Sequence, residues 1–442
     1  MRRYFIKTYG CQMNVYDSGI IAGYFASRGY TNTDNIADAD VIVINTCTVR
    51  QHAEERAFSE VGRLKFWKNK KPGRIIVVTG CAAARVGVKQ IKHKYPHIGL
   101  VVPAKDILRF GKLFDDLLEN GRGEDIVGTP LSDDSHPLYP PDKTILQNDK
   151  PRVSAFVAIS RGCNNYCSYC IVPYVRGEEV PRDSSEVLDE VGKLVKAGIK
   201  EIVLLGQNVN SYKSGNMSFA NLLTKINDIP NLERIRFLTS HPKDLSDDTI
   251  ECFKTLPKLC EHIHLALQSG SNRILELMNR KYGIEHYHEL INKLRDTQPK
   301  IAVTTDLIVG FPGETEDEFE QTVTAVKSIG FDYAYVFKYS PRVGTAAEKW
   351  GDTVPQEIKE RRHAKLLRVV NNVAELKSKS YVGKIQEVLV DNCNPDTGKC
   401  NGKTRAMCSV IFRPESSIAA GHVVKLNIVC NHIHSLEGDL TF

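Results

Sequence analysis

Between Val153 and Phe337 six short apolar runs recur, and stretches with helical periodicity separate them. The runs Val153–Ile159, Glu201–Leu205, Arg234–Leu238, His262–Leu267, Val303–Val309 and Tyr333–Phe337 read as strands. Ser185–Ala197, Asp247–Thr255, Ile284–Asp296 and Thr315–Ile329 read as helices. A strand, a crossover helix and the next strand enforce parallel pairing with helices on the outside. Six such units suit a partial barrel, and groups that carry chemistry are then expected at the C-terminal ends of its strands.

The segment before this barrel alternates in the same way. Arg3–Tyr9, Val41–Asn45 and Ile75–Thr79 read as strands; Asp17–Arg28, His52–Lys68 and Gln90–Tyr95 read as helices. That pattern implies a doubly wound parallel sheet. Thr129–Lys150 is rich in Pro, Asp and Ser and reads as a linker. A basic amphipathic stretch, Gln356–Ser380, precedes the runs Ile385–Val390, Thr404–Phe412, Val423–Val429 and Ser435–Phe442. These read as short strands of a small antiparallel barrel. The expected layout is an α/β domain over 1–128, the linker over 129–150, the partial (β/α)6 barrel over 151–378 and the small β-barrel over 379–442.

Composition excludes several classes. The 442 residues are 42% hydrophobic and 25% charged, which rules out wholesale disorder. No apolar run reaches the roughly 18–20 residues that span a bilayer, and no apolar signal region follows the basic start at Arg2-Arg3. The 12 cysteines are too few for a disulfide scaffold. A cytoplasmic protein with reduced thiols and no membrane partner is expected. The formal charge of +6 is mild, but Arg63–Arg74 holds six basic residues, no acid, and Phe66 with Trp67. That run reads either as a solvated helix end or as a phosphate-contacting patch.

Directly after the first barrel strand stands Cys163-x3-Cys167-x2-Cys170, with Gly162 before it. A loop can wrap three such thiolates around one metal group. Zinc in a closed site wants a fourth ligand, and none follows at finger spacing. Three thiolates on a four-iron cluster leave one iron open, which is what a reacting cofactor needs. Cys11, Cys47 and Cys81 lie 36 and 34 residues apart. Each ends a predicted strand, so parallel neighbours would bring all three to one sheet edge, where open α/β sheets bind ligands. Gly10 and Gly80 allow close turns there.

Cys163-x3-Cys167-x-Tyr169-Cys170 after a strand resembles the radical S-adenosylmethionine (SAM) superfamily. Leu307-Ile308-Val309-Gly310-Phe311-Pro312-Gly313-Glu314 and Leu204-Leu205-Gly206-Gln207-Asn208 resemble its SAM-contacting strand ends. The resemblance sharpens to the methylthiotransferase family on six segments: Tyr9-Gly10-Cys11-Gln12-Met13-Asn14, Asn45-Thr46-Cys47-Thr48-Val49-Arg50, Thr79-Gly80-Cys81, Arg161-Gly162-Cys163, Ile171-Val172-Pro173-Tyr174-Val175-Arg176-Gly177 and Tyr339-Ser340-Pro341-Arg342-Val343-Gly344-Thr345. Gln12-Met13-Asn14 and Leu205–Tyr212 match its isopentenyl-tRNA branch. The ribosomal protein S12 branch would show Pro-Lys-Asn after the first Cys, and the threonylcarbamoyl-adenosine branch Lys-Val-Asn. The terminal barrel resembles a TRAM domain, an RNA-binding fold.

That resemblance implies two 4Fe-4S clusters, a radical SAM cluster on Cys163, Cys167 and Cys170 and an auxiliary cluster on Cys11, Cys47 and Cys81. It implies an enzyme that acts on the tRNA anticodon stem-loop and methylthiolates C2 of N6-isopentenyl-adenosine; a monomer is expected. One SAM gives the methyl group, and a second gives a 5′-deoxyadenosyl radical. The C2 hydrogen is not acidic, so no catalytic residue beyond the cluster ligands is expected. Candidate SAM or base contacts are Tyr169, Gly206, Gln207, Gln268, Arg280, Asp306, Gly310 and Pro312. Tyr333, Tyr335 and Phe337 alternate on the last barrel strand and read either as a base pocket or as an aromatic core stripe. Cys393, Cys400, Cys408 and Cys430 read as ordinary buried or surface thiols. The competing readings are a sibling methylthiotransferase with another target, an iron–sulfur RNA-binding sensor without enzymatic activity, and a zinc-bound RNA-binding protein.

Overall fold

A computed structural model describes residues 1–48, 51–120, 152–414, 418–432 and 435–441. The expected linker over 129–150 lies outside the described residues. The chain divides into two compact units. The first holds residues 1–150 with 161–164 and 171–180, and the second holds 151–160, 165–170 and 181–442.

In the first unit five strands form a sheet in the order Thr31–Asn32, Arg3–Thr8, Val41–Thr46, Ile75–Gly80, Leu100–Pro103. All four pairings are parallel. Every residue of Val41–Thr46 is buried, as expected where both faces are covered. Ile42 and Ile44 face a core with Ala57, Val61, Leu64 and Trp67 from helix Gln51–Asn69. Val41 and Val43 face the opposite core, with Ile21, Tyr24 and Phe25 from helix Gln12–Ser27 and Phe110 and Phe114 from helix Phe110–Asn120. Alternate side chains of one strand thus feed two cores, which is the physical content of a doubly wound sheet. The first helix begins at Gln12, five residues before the sequence expectation, because Cys11 is already its N-cap.

The second unit begins with the expected parallel strands. Ser154–Ala158, Glu201–Leu205 and Arg234–Phe237 form one run, and His262–His264, Ala302–Val309 and Tyr333–Lys338 form another. Parallel bridges at Ile235 with Leu259 and at Ser240 with Leu265 join the runs. Local signals fix the helices outside. Glu316–Ile329 opens on a capping box of Thr315 and Glu318, carries three acids in its first turn, and ends at Gly330 in a left-handed conformation.

The C-terminal strands close a five-stranded barrel around Val388, Val390, Val410, Phe412, Leu426 and Ile428. The run Thr404–Phe412, expected as one strand, is two: Lys399–Thr404 and Ser409–Phe412. A turn with Met407 at φ +69° divides them, and Thr404 Oγ1 accepts the Cys408 amide at 3.1 Å. Cys393 and Cys400, expected as separate thiols, are bonded to each other. They stand directly opposite in the hairpin, since Pro395–Gly398 forms the turn between their strands. Cys408 remains a partly buried thiol, and Cys430 an exposed one.

Candidate radical SAM and auxiliary cluster sites

In the first unit Cys11, Cys47 and Cys81 sit at the C-terminal ends of three neighbouring strands, Arg3–Thr8, Val41–Thr46 and Ile75–Gly80. The strand order reverses between the first two, so the trio lies at the topological switch point where such sheets bind ligands. Two glycines press the loops together. A Cβ on Gly10, at φ +125°, would lie 2.6 Å from Cys47 Cβ, and one on Gly80, at φ +101°, would lie 2.2 Å from the Thr46 carbonyl oxygen. The expectation that these glycines serve a ligand is therefore refined, since each makes room for the next cysteine loop. Burial pushes the Cys81 thiol up to about 11; Arg176 opposes the rise, and Cys47 and Cys11 add to it. A buried thiol that pays to ionise beside two others suits a positively charged iron core, which deprotonates its ligands.

Sequence reasoning named the segment Ile171–Gly177 but gave none of its residues a role. Its Arg176 is buried and donates from Nε to Cys81 Sγ at 3.2 Å and from Nη2 to Asn14 Oδ1 at 3.2 Å and Asp17 Oδ2 at 3.1 Å. Asn14 Oδ1 also accepts from Cys11 Sγ at 3.3 Å. Asn14 Nδ2 donates to the Thr46 carbonyl at 2.8 Å, just before Cys47. Asn14 of the Gln-Met-Asn motif thus ties the Cys11 and Cys47 loops directly and reaches Cys81 through Arg176.

The other trio is local in sequence. Cys163 belongs to the first unit, and Cys167 and Cys170 to the second. Within the second unit Arg280 is buried and donates from Nη1 to Cys167 Sγ at 3.3 Å and from Nη2 to the Ala266 carbonyl at 2.7 Å. Ser168 is held by Leu277 and Met278: its hydroxyl donates to the Leu277 carbonyl at 2.7 Å, and its amide to the Met278 carbonyl at 3.1 Å. Arg280, singled out as a SAM or base contact, is here bonded to a cysteine of the cluster motif. Tyr169 packs into an apolar group with Ile308, Phe311 and Met278, so the cysteine motif and the Gly310-Phe311-Pro312 turn meet. Among the described residues no three His, Cys, Asp or Glu side chains are gathered tightly enough to grip one ion. A four-iron core asks less, since each thiolate binds its own iron.

Gly206, Gln207, Gln268, Asp306, Gly310 and Pro312 all fall on the C-terminal half or just past the end of parallel strands. Four side-chain oxygens at that edge are buried with no hydrogen-bond partner among the described residues: Ser160 Oγ, Gln207 Oε1, Ser240 Oγ and Gln268 Oε1. Each follows a different strand. Such a row is costly unless a polar ligand completes it, so these residues fit SAM. Gln268 is held at φ +72° by its amide on the Asp306 carbonyl at 2.8 Å. Asp306 itself faces His264, with Oδ2 3.4 Å from Nε2.

Tyr335 is 50% and Phe337 39% exposed, which excludes the core-stripe reading. With Tyr333 they pair across the sheet with Thr304, Asp306 and Ile308 and present one aromatic and polar face. Tyr333 and Tyr335 meet edge to face at 5.1 Å.

Comparison with known proteins decides the family. Residues 157–326 match the radical SAM superfamily, and residues 3–103 match the uncharacterised protein family UPF0004. The chain is 43% identical to the tRNA-2-methylthio-N(6)-dimethylallyladenosine synthase of Thermodesulfovibrio yellowstonii, over 99% of each chain. It is 42% identical to that of Acetivibrio thermocellus, over 99% of this chain and 90% of the relative. The chain belongs to the family of tRNA-2-methylthio-N(6)-dimethylallyladenosine synthases. It is thus a radical SAM enzyme and a tRNA methylthiotransferase. Among solved structures, the radical SAM methyltransferase TsrM of Kitasatospora setae matches with TM-score 0.56 at 14% identity, over 76% of this chain and 72% of that one. The cobalamin-dependent SAM radical enzyme OxsB matches with TM-score 0.53 at 14% identity, over 82% and 56%. At those identities the likeness shows the fold alone.

The run Arg63–Arg74 divides into a packed part and an exposed part. Trp67 is buried with Arg74 stacked on it at 4.5 Å, and Lys71 pairs with Asp40 at 2.8 Å. Those residues hold the helix end in place. Arg63, Lys65, Phe66 and Lys70 stay exposed, Phe66 by 75%.

Proposed function

We propose that this enzyme converts N6-isopentenyl-adenosine, beside the anticodon of tRNA, to its 2-methylthio derivative in the cytoplasm. The observation that carries the reading is the meeting of Cys11, Cys47 and Cys81 at one sheet edge, in a chain that also bears Cys163, Cys167 and Cys170 after a barrel strand. Cys11, Cys47 and Cys81 would hold one 4Fe-4S cluster and Cys163, Cys167 and Cys170 another, and together with SAM and a reductant these would supply the methylthio group and the radical chemistry that an unactivated C2 hydrogen demands.

The chain's own residues bind, orient and exclude water. Tyr169 and the Gly310-Phe311-Pro312 turn wall the adenine side of SAM with apolar surface. Gln207 and Gln268 offer buried oxygens to its ammonium group. The target base leaves the anticodon-loop stack and stacks on Tyr333, Tyr335 or Phe337, with Asp306 as a hydrogen-bond partner. The cytoplasmic placement draws support from the tRNA substrate; no described helix is long and apolar enough to cross a membrane.

The test offers the reconstituted protein isopentenylated tRNA in one reaction and ribosomal protein S12 in another, with SAM and a reductant. A 2-methylthio nucleoside in the tRNA digest is expected. Methylthiolation of S12 alone would overturn the substrate.

A further inference from the structure

The auxiliary trio rests on a buried charged group that the reaction does not consume. Asp17, 1% exposed, accepts from two arginines: Arg161 Nη1 reaches one carboxylate oxygen at 2.9 Å, and Arg176 Nη2 the other at 3.1 Å. Each arginine leads to a cysteine. Arg176 donates to Cys81 Sγ, and Arg161 stands two residues before Cys163. The Cys163 amide donates to the carbonyl of Gly177, the neighbour of Arg176, at 3.2 Å. Gly162 lies so close to residues 177–178 that a Cβ would fall 1.8 Å from the Glu178 carbonyl oxygen. All of these residues belong to the first unit, so one folded piece holds Cys163 and the auxiliary trio together.

We infer that Arg176 and Asp17 are positioning residues of the auxiliary cluster: Arg176 sets the electronic environment of the Cys81 thiolate through its Nε–H···S bond and fixed charge, and Asp17 holds Arg176 in register with the loop that bears Cys163. The inference rests on the reading of Cys11, Cys47 and Cys81 as cluster ligands. Hydrogen bonds to cluster sulfurs and net local charge are the protein's main levers on a cluster's reduction potential. A guanidinium suits the place because its planar fork serves a sulfur, an amide oxygen and a carboxylate at once. The two arginines and one carboxylate leave one positive charge beside thiolates in a site with little water, where a charge acts strongly. A purely architectural ion pair would need neither the sulfur contact nor the bond to Asn14.

The test uses the full chain with Cys163, Cys167 and Cys170 all changed to Ala, so that one cluster remains after reconstitution. Iron content is measured first: about four irons per chain confirm the cluster reading, whereas none would refute that reading before Arg176 is touched. In this background Arg176→Gln is expected to keep the iron and to shift the midpoint potential to a more negative value, with a changed electron paramagnetic resonance spectrum. Arg176→Lys restores the charge without the fork and is expected to bring the potential part of the way back. Asp17→Asn removes the carboxylate's negative charge while keeping both arginines, and is expected to shift the potential to a less negative value and to broaden the spectrum. An unchanged potential and spectrum in Arg176→Gln would overturn the proposal. So would failure of both Arg176→Gln and Asp17→Asn to fold, which would make the pair architectural only.

Discussion

The two cysteine trios are built in opposite ways. Cys163, Cys167 and Cys170 lie within eight residues, so spacing alone announces them. Cys11, Cys47 and Cys81 span seventy residues and meet only because three parallel strands end side by side. A local trio is encoded by sequence distance, and a dispersed one by topology. The dispersed site should therefore be the more sensitive to anything that disturbs the fold of its unit.

The largest effect separates the two chemistries. Replacing Cys163, Cys167 and Cys170 with Ala should abolish 5′-deoxyadenosine release and lower iron from about eight to about four per chain. Cys11→Ala should lose the same amount of iron yet still release 5′-deoxyadenosine, with no methylthio product. Equal loss of 5′-deoxyadenosine in both variants would mean that the trios are not independent. Next comes the cost of topology. Gly80→Ala combines a left-handed backbone with a Cβ 2.2 Å from the Thr46 oxygen, and should destabilise the protein by about 3 kcal/mol or more in denaturant unfolding. Gly73→Ala, at φ +81° with nothing within 4 Å, should cost only about 1 kcal/mol. Similar costs would show that the cysteine loops are not packed as described.

Smaller again is the loss of one polar contact to SAM. Gln268→Leu should weaken SAM binding roughly tenfold, by the value of one hydrogen bond to a charged group, and leave both iron counts unchanged in a titration of the reconstituted enzyme. The smallest effect touches neither trio. Changing Arg63, Lys65 and Lys70 to Ala should weaken tRNA binding and reduce its salt dependence by up to about three phosphate contacts, with iron and 5′-deoxyadenosine at wild-type levels. Any iron lost in that variant would tie the exposed helix end to the cluster instead of to RNA.

The same contrast explains what the sequence made legible. Strand periodicity and turn residues gave the two α/β layers and six cysteines at strand ends, because these features repeat every few residues. Arg176, Asn14 and Asp17 stayed silent because their partners lie up to 162 residues away. Asn14 and Arg176 were within reach, since both stand in segments that carried the family resemblance. The pairing of Cys393 with Cys400 was missed because a six-residue gap suggests nothing until the hairpin register is known. The exposure of Tyr335 and Phe337 was equally hidden, since an alternating strand does not say which of its faces is wet.

The strand Arg234–Phe237 has one more consequence. Arg234 and Arg236 are buried, and they donate to the carbonyls of Lys403, Thr404 and Arg405 in the terminal barrel at 2.6–2.7 Å. Glu201 binds Arg236 from within the same sheet at 2.6 Å. Cutting the chain after residue 380 would strip Arg234 of its partners Lys403 and Glu387 and leave Arg236 only Glu201, against the bottom of the parallel strands. The barrel is therefore no detachable cassette: swapping it for a relative's would succeed only where the incoming turn offers its peptide oxygens at the same places.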